Sequence, residues 1–213
     1  MNYHNIVQND LMNGPGLRVT LFVSGCDHHC KGCQNPQTWD YDSGIPFDEP
    51  AMFEIIQGLQ KEYITGLTIS GGDPFAEKNI STILDIVNRV RDIFGDQKSI
   101  WIYTGYTMEE LMARNDQYTK SILKSIDGLV DGEYVESLRD TSAPWVGSVN
   151  QRVFEINVLT ETIPTNVGPM ESEYINFRRL PGDVIESGVQ GTLVTSFPLN
   201  ENEKSNRHDI NSD

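Results

Sequence analysis

Hydrophobic positions along the first 160 residues alternate between short continuous runs and stripes with helical spacing. The runs are rich in β-branched and aromatic residues, as in buried parallel strands, and they cover 17–23, 66–70, 99–104, 129–131 and 153–159. The stretches at 49–63, 77–94 and 107–125 place apolar residues three or four positions apart, which predicts amphipathic helices. This alternation predicts an α/β fold with a parallel sheet and right-handed crossovers.

Local signals refine these boundaries. Thr107 is followed three residues later by Glu110, the pattern of a helix-starting capping box. The same helix is expected to break near Asn115 and Asp116. Residues 3–10 are mixed in character, with Ile6 and Val7 as the centre of a short strand, and the sequence NGPG at 13–16 then interrupts the chain.

The character of the chain changes after about Thr160. Helical periodicity is lost, and prolines and glycines recur at 164, 168, 169, 181, 182 and 188. Residues 184–197 are compatible with a hairpin, and the polar stretch from Asn200 onward is typical of disorder. We therefore expect one α/β domain over 1–160 and an extension over 161–213 that buries little apolar surface.

Composition and charge exclude several classes of function. The chain has 213 residues and a formal net charge of −15, which disfavours binding to the phosphates of nucleic acid. It has no apolar run long enough to span a membrane, and its first residues lack the features of a signal peptide. The three cysteines are too few and too close for a disulfide framework, so we expect a cytoplasmic protein.

All three cysteines lie in the sequence CDHHCKGC at 26–33, with CxxxCxxC spacing. Thiolates suit zinc or iron–sulfur clusters. A closed zinc site would need a fourth ligand, for which His28 or His29 is available, whereas three thiolates on a [4Fe-4S] cluster leave one iron with an open position. The spacing also fits one buried face of a helix, but the adjacent glycines and the NP at 35–36 favour a loop.

Three further motifs follow predicted strands. In GGDP at 71–74, two glycines allow a ligand to approach the backbone closely, although the motif also fits a plain turn with Asp73 capping the next helix. YTGY at 103–106 and VDGEY at 130–134 are compatible with turns, or with a carboxylate that binds ribose hydroxyls. Because the carboxyl ends of parallel strands share one edge, these motifs and the cysteine loop are expected to converge.

Taken together, the motifs resemble a known family. They are NGPG, CxxxCxxC after LFVSG, SGGDP at 70–74, WIYTGY at 101–106, VDG at 130–132 and SVNQR at 148–152. Their order and spacing, over about the first three quarters of the chain, are similar to those of radical S-adenosylmethionine proteins. The activating enzymes of anaerobic, class III ribonucleotide reductases are the group they resemble most.

The resemblance implies an incomplete (βα) barrel with its helices on the outside. It implies a [4Fe-4S] cluster on Cys26, Cys30 and Cys33, with S-adenosylmethionine bound to the fourth iron. The cofactor contacts it implies are Gly32, Cys33, Gln34, Gly71, Gly72, Asp73, Tyr103 and Asp131. Many members of the superfamily carry an aromatic residue before the third cysteine, and close relatives carry Tyr after it; this chain has Gly32 and Gln34 instead. The residue that covers adenine is therefore open among His28, Trp39 and Tyr103.

The implied function is reductive cleavage of S-adenosylmethionine to a 5′-deoxyadenosyl radical. That radical would take a hydrogen atom from a glycine of the large subunit of the anaerobic ribonucleotide reductase. The implied partners are this glycyl-radical protein and a low-potential electron donor such as flavodoxin. Two alternatives remain at this stage: activation of a different substrate by the same chemistry, and a zinc-binding adaptor without enzymatic activity.

Overall fold

A mixed sheet organises the protein, which is described by a computed structural model over residues 1–140, 142, 144–165, 168–180 and 197–198. The strands within these residues are β1 (Asn2–Asp10), β2 (Arg18–Val23), β3 (Ile45–Pro46), β4 (Gly66–Gly71), β5 (Ser99–Tyr103), β6 (Gly128–Asp131), β7 (Arg152–Thr165), β8 (Gly168–Arg179) and β9 (Phe197–Pro198). The α-helices within the same residues are α1 (Glu49–Leu59), α2 (Ile80–Phe94), α3 (Met108–Ala113) and α4 (Gln117–Ser125). The strand order is β3-β1-β2-β4-β5-β6-β7-β8-β9.

The centre of the sheet is parallel and its flanks are antiparallel. Strands β2, β4, β5 and β6 run in the same direction, whereas β1 pairs antiparallel with β2 and β7 pairs antiparallel with β6. Helices connect the parallel strands, with α1 before β4, α2 before β5, and α3 and α4 before β6. These crossovers bring the carboxyl ends of the four parallel strands to one edge, where the cysteine loop and the motifs at 71–74, 103–106 and 130–134 lie.

Alternation along the strands separates two unlike faces. One face is aliphatic and belongs to the same buried cluster as residues of α1 and α2: Val19, Leu21, Leu67, Ile69, Ile100, Ile102, Ile55, Leu59, Ile83 and Val87. The other face is polar and aromatic, and Thr20, Thr68 and Trp101 share one register line across it. The helices therefore cover the first face, and the second is the face available to a site.

A buried arginine ties the amino ends of the central strands together. Arg18 is fully buried, and its guanidinium donates to Thr68 Oγ1 at 2.7 Å and to the carbonyl oxygens of Leu67 (2.7 Å) and Ser99 (2.9 Å). Burial lowers the pKa of this side chain to about 10, so it stays charged at neutral pH. Arg18 thus fixes β2, β4 and β5 relative to one another at the edge opposite the cysteines.

The elements predicted from sequence are present, with shifted ends. Helix α1 ends at Leu59 rather than near residue 63, and α2 begins at Ile80 rather than near 77. The break between α3 and α4 is confirmed, as is the capping box of Thr107 and Glu110. Strand β1 is much longer than the short strand predicted around Ile6 because it pairs with β2 along its length.

The carboxyl-terminal part of the described chain belongs to the same sheet. Residue 160 lies inside β7, which continues to Thr165 and pairs with β8. The expectation that residues beyond 160 bury little apolar surface stays a prediction for the extension as a whole. Ile175 of β8 is nevertheless 1% exposed and part of the core. Apart from Phe197, the predicted hairpin at 184–197 lies outside the described residues, as does the polar stretch from 200.

None of the helices in the described part of the chain combines the length and the apolar character needed to cross a membrane.

Candidate cluster and cofactor site

The three cysteines lie in a loop that leaves the carboxyl end of β2. Its first residues are fixed by backbone hydrogen bonds from Gly25 N to Thr38 O (2.7 Å) and from Cys26 N to Trp39 O (3.0 Å). At the end of the loop, a hydrogen bond from Cys33 N to Cys30 O (3.0 Å) closes a turn. All three thiols are free and partly buried. The non-helical backbone excludes the alternative in which the cysteines form one buried face of a helix.

The donor set suits a cluster with three protein ligands. Among the described residues, no group of three or more His, Cys, Asp or Glu side chains has the arrangement of a preformed metal site. Burial raises the pKa of the Cys26 thiol to about 11 and also raises the pKa of Cys30. Thiols bind metals as thiolates, so loading this loop must release protons and bring the three sulfur atoms together.

The two histidines of the loop are already engaged. His28 lies between two carboxylates, with Nε2 3.0 Å from Asp73 Oδ2 and Nδ1 2.8 Å from Glu133 Oε1. Its interactions with Asp73 and Glu133 raise the pKa of His28 to about 9, which makes the ring cationic at neutral pH. His29 Nδ1 is 3.1 Å from the carbonyl oxygen of Asp27. Both ring nitrogens of His28 face carboxylates, so the ring would have to give up one of these contacts to become the fourth ligand of a zinc ion.

The GGDP loop after β4 packs directly on the start of the cysteine loop. Gly72 N donates to Val23 O and Asp73 N donates to Gly25 O, both at 2.7 Å. A Cβ on Gly72 would lie 2.4 Å from Gly25 O, and Gly71 has a φ of +104°, which L side chains rarely adopt. Glycine is therefore required at position 72 because the GGDP loop packs against the cysteine loop, not because a ligand approaches the backbone there.

Asp73 is buried and its carboxylate is occupied within the protein. Oδ1 accepts from Phe75 N at 2.8 Å, and Oδ2 accepts from Gly105 N at 2.9 Å. Thr104 Oγ1 lies within 3.0 Å of both oxygens. Asp73 does not cap α2, which starts after Asn79. Its carboxylate instead joins the loop after β4 to the loop after β5.

Asp131 is also buried and bound, on the far side of the loop after β5. Its carboxylate accepts hydrogen bonds from Met108 N at the start of α3 and from Arg152 Nε (3.0 Å). The same guanidinium also donates to Glu109 Oε1 at 2.8 Å. Asp131 thus holds α3 and β7 against the end of β6, whereas Glu133, two residues later, reaches the cysteine loop.

The remaining expected cofactor contacts differ in their surroundings. Trp39 Nε1 and Tyr103 OH are buried and have no hydrogen-bond partner among the described residues. Burial raises the pKa of Tyr103, so its hydroxyl remains a donor. Gly32 has a φ of +76° and lies against the side chain of Glu136, and Gln34 lies beside Gly147. Buried donors without a partner are groups that a bound polar cofactor could pair, although the Tyr103 hydroxyl lies within the electrostatic reach of Arg18 and Asp10.

Comparison with known proteins decides the family. The profile of the 4Fe-4S single cluster domain matches residues 12–154. An anaerobic ribonucleoside-triphosphate reductase-activating protein from Pasteurella multocida (strain Pm70) is 43% identical over 156 residues, which is 72% of this chain and 97% of that protein. The chain belongs to this family of activating proteins. The proteins of the same name from Escherichia coli (strain K12) and Enterobacteria phage T4 are 44% and 41% identical, over 99% and 94% of their own lengths.

The family match covers the site but not the whole chain. The alignment with the Escherichia coli activating protein spans 73% of this chain, and the 4Fe-4S domain match ends at residue 154, just after β7 begins. Strand β8 thus lies beyond the matched domain, although Ile175 packs into the same core.

Several residues that hold the site of this activating protein together were not identified from the sequence. Asn79 Nδ2 donates to Ser24 O and to Asp73 O, both at 2.9 Å, and so fastens the cysteine loop to the GGDP loop. Thr104 binds the Asp73 carboxylate, and Glu133 binds His28. Thr104 and Glu133 fall within motifs that were noted, but Asn79 resembles an ordinary helix-starting residue and carried no signal.

Proposed function

We propose that this protein is a radical S-adenosylmethionine oxidoreductase that activates the anaerobic ribonucleoside-triphosphate reductase. The observation that carries the proposal is the cysteine loop. Three free thiols within eight residues lie at the shared edge of β2, β4, β5 and β6, in a chain similar to proteins named for this activation. No second candidate function is favoured by the geometry.

The parallel strands form an incomplete (βα) barrel in this proposal, with the helices outside. The aliphatic face packed on α1 and α2 is its outer face. The opposite face, with Thr20, Trp101 and the unpaired hydroxyl of Tyr103, is the lining. A barrel that is open on one side suits a substrate that is a loop of another protein, since such a loop needs a lateral entrance.

Cys26, Cys30 and Cys33 would hold a [4Fe-4S] cluster in this arrangement, and S-adenosylmethionine would occupy the lining beside it. When bound, these two groups supply a one-electron reductive cleavage that gives methionine and a 5′-deoxyadenosyl radical, which takes a hydrogen atom from a glycine Cα of the reductase. The chain itself positions the groups and excludes water. The GGDP loop would meet the methionine ammonium through backbone carbonyl oxygens, because the Asp73 carboxylate and the amides of Gly72 and Asp73 are already bound within the protein.

The adenosine end is assigned to residues with unused hydrogen-bonding capacity. Tyr103 OH and Trp39 Nε1 are the buried donors that point to this role, with Gly32, Cys33 and Gln34 on the side of the cysteine loop. Asp131 contributes indirectly in this proposal by anchoring α3 and β7, since its carboxylate already pairs with Arg152.

The partners follow from this chemistry. They are the large subunit of the anaerobic reductase, which receives the glycyl radical, and a low-potential electron donor such as flavodoxin. The chain's acidic charge disfavours nucleic acid. Three unpaired thiols suit a reducing compartment, which supports a location in the cytoplasm.

Anaerobic reconstitution with iron and sulfide tests the proposal. We expect the reconstituted protein to absorb in the visible range, to carry four irons per chain, as a [4Fe-4S] cluster does, and to release 5′-deoxyadenosine from S-adenosylmethionine once reduced. Addition of the reductase should then give the electron paramagnetic resonance signal of a glycyl radical.

Single variants of the three cysteines supply the control. Changing Cys26, Cys30 or Cys33 to Ala should each abolish cleavage, because no further cysteine is available in the chain as a substitute ligand. Full activity of any of the three would overturn the ligand assignment. A colourless protein that binds zinc stoichiometrically would overturn the function itself.

A further inference from the structure

We propose that His28 is a positioning residue that holds the cysteine loop at a set distance from the GGDP loop, and so sets the cluster against S-adenosylmethionine. This inference rests on the proposed function and extends it to a residue that neither binds the cluster nor takes part in the chemistry. His28 lies between Cys26 and Cys30, and only 11% of its side chain is exposed.

Both nitrogens of the His28 ring face carboxylates from other loops. Nε2 is 3.0 Å from Oδ2 of Asp73, on the loop after β4, although this contact lacks the alignment of a good hydrogen bond. Nδ1 is 2.8 Å from Oε1 of Glu133, on the loop after β6. Asp73 is fully buried and Glu133 is half exposed. The Asp73 contact is therefore the one that is shielded from water.

The loop after β5 packs on the ring itself. The rings of His28 and Tyr106 meet edge to face, with centroids 4.4 Å apart. A Cβ on Gly105 would lie 2.5 Å from His28 Cδ2, so this position accepts only glycine while the histidine is in place. The guanidinium carbon of Arg114 lies 3.9 Å from the centroid of the Tyr106 ring, and this guanidinium also donates to Phe75 O at 2.7 Å. Tyr106, which packs on His28, is thus linked through Arg114 to Phe75, the residue that follows the GGDP motif.

Loops from all four parallel strands therefore meet on one imidazole ring. The other bonds between the cysteine and GGDP loops run from Gly72 N, Asp73 N and Asn79, and they reach no further into the cysteine loop than Gly25. In the part of the loop between the first two thiols, Asp27 and His29 contact Tyr41 and Trp39. Among the described residues, His28 is the one that ties this part to the GGDP loop. Residues that orient metal ligands typically affect affinity or activity about 10- to 100-fold.

The test compares His28→Ala, His28→Gln and the control Lys31→Gln in the full-length protein. Lys31 belongs to the same loop, but it is 91% exposed and its ion pair with Glu136 lies at the surface. Hydrogen–deuterium exchange of the metal-free protein should be faster at 26–34 in His28→Ala and unchanged in β5. After reconstitution, the variant should bind iron like the wild type, with kcat/KM for S-adenosylmethionine about 10- to 100-fold lower.

The conservative variant separates positioning from direct binding. The side-chain amide of His28→Gln can still donate to Asp73, so we expect it to restore slow exchange and part of the kcat/KM, and Lys31→Gln should match the wild type. Wild-type exchange and kinetics in His28→Ala would overturn the proposal. So would loss of iron in that variant, or a kinetic defect without faster exchange. A wild-type protein that takes up no cluster would refute the proposed function, and the exchange measurement would still decide whether His28 holds the loop.

Discussion

At the scale of single residues, the two aspartates at the site have roles within the protein. Asp73 joins the loops after β4 and β5, and Asp131 holds α3 and β7 against β6. Each carboxylate is buried and bound by donors from distant parts of the sequence. The position of Asp131 after a strand and the family resemblance of the GGDP motif led to their prediction as cofactor contacts, which stays a prediction. The structure adds that both carboxylates also hold the scaffold together.

Replacing Arg152 by Met tests this view of Asp131. The variant leaves a buried carboxylate without its guanidinium, so the free energy of unfolding should fall by about 3 kcal/mol. Glu109→Gln is the matched control because it removes the other carboxylate paired with Arg152, which is 62% exposed, and it should cost less than about 1 kcal/mol. Urea unfolding of the metal-free protein measures both. Equal losses would contradict the role of Asp131 as a structural anchor.

At the scale of elements, α3 depends on its first turn because it is only six residues long. Thr107 Oγ1 accepts from Glu110 N, and the Glu110 carboxylate accepts from Thr107 N at 2.7 Å. The hydrogen bonds that the Glu110 carboxylate accepts from Thr107 N and from the Thr107 hydroxyl lower the pKa of Glu110 in the folded protein. The ionised carboxylate therefore stabilises the fold above its ordinary pKa, and this contribution disappears as the pH falls through the lowered value.

Thr107→Ala should reduce the free energy of unfolding by about 1 kcal/mol at neutral pH. Thr107→Ser keeps the hydroxyl and should remain close to the wild type. The difference between Ala and wild type should narrow on acidification, since protonated Glu110 no longer completes the capping box. Thermal unfolding followed by circular dichroism at neutral and acidic pH provides the comparison. A difference that grows at low pH would reject this account of the helix start.

At the scale of the whole molecule, the prediction concerns the end of the chain. A protein ending at residue 160 loses Ile175 from the core and the β8 partner of β7, whereas one ending at residue 180 keeps both. We expect the free energy of unfolding of the shorter form to fall by about 2–5 kcal/mol or more, since truncating a buried isoleucine side chain alone typically costs that much. The longer form should unfold at nearly the wild-type temperature.

Both truncated proteins keep every residue proposed to hold the cluster and S-adenosylmethionine. The form ending at residue 180 should therefore assemble the cluster and cleave the cofactor, and glycyl-radical formation can be scored separately by electron paramagnetic resonance. Loss of cluster assembly in this folded form would contradict the division into a catalytic domain and an extension. Loss of radical formation alone would assign the removed residues to recognition of the reductase.

The sequence by itself determined the order of the strands and helices and the type of metal-binding side chain, because both depend on local patterns. Continuous β-branched runs, helical stripes and the box at Thr107 depend on near neighbours, and CxxxCxxC confines all three thiols to one loop. From these follow the α/β class and a cluster-type donor set at a strand end.

Only the tertiary structure decided what each polar residue at that edge does. The pairing of His28 with Asp73 and Glu133, the bond from Asn79 to Ser24 and the contact of Gly72 with Gly25 join residues 45 to 105 positions apart. Such contacts depend on how parallel strands are ordered and registered, and a strand's own sequence does not specify its neighbour. For the same reason, the length of β1 and the burial of Ile175 became visible only when β2 and β7 were in place beside them.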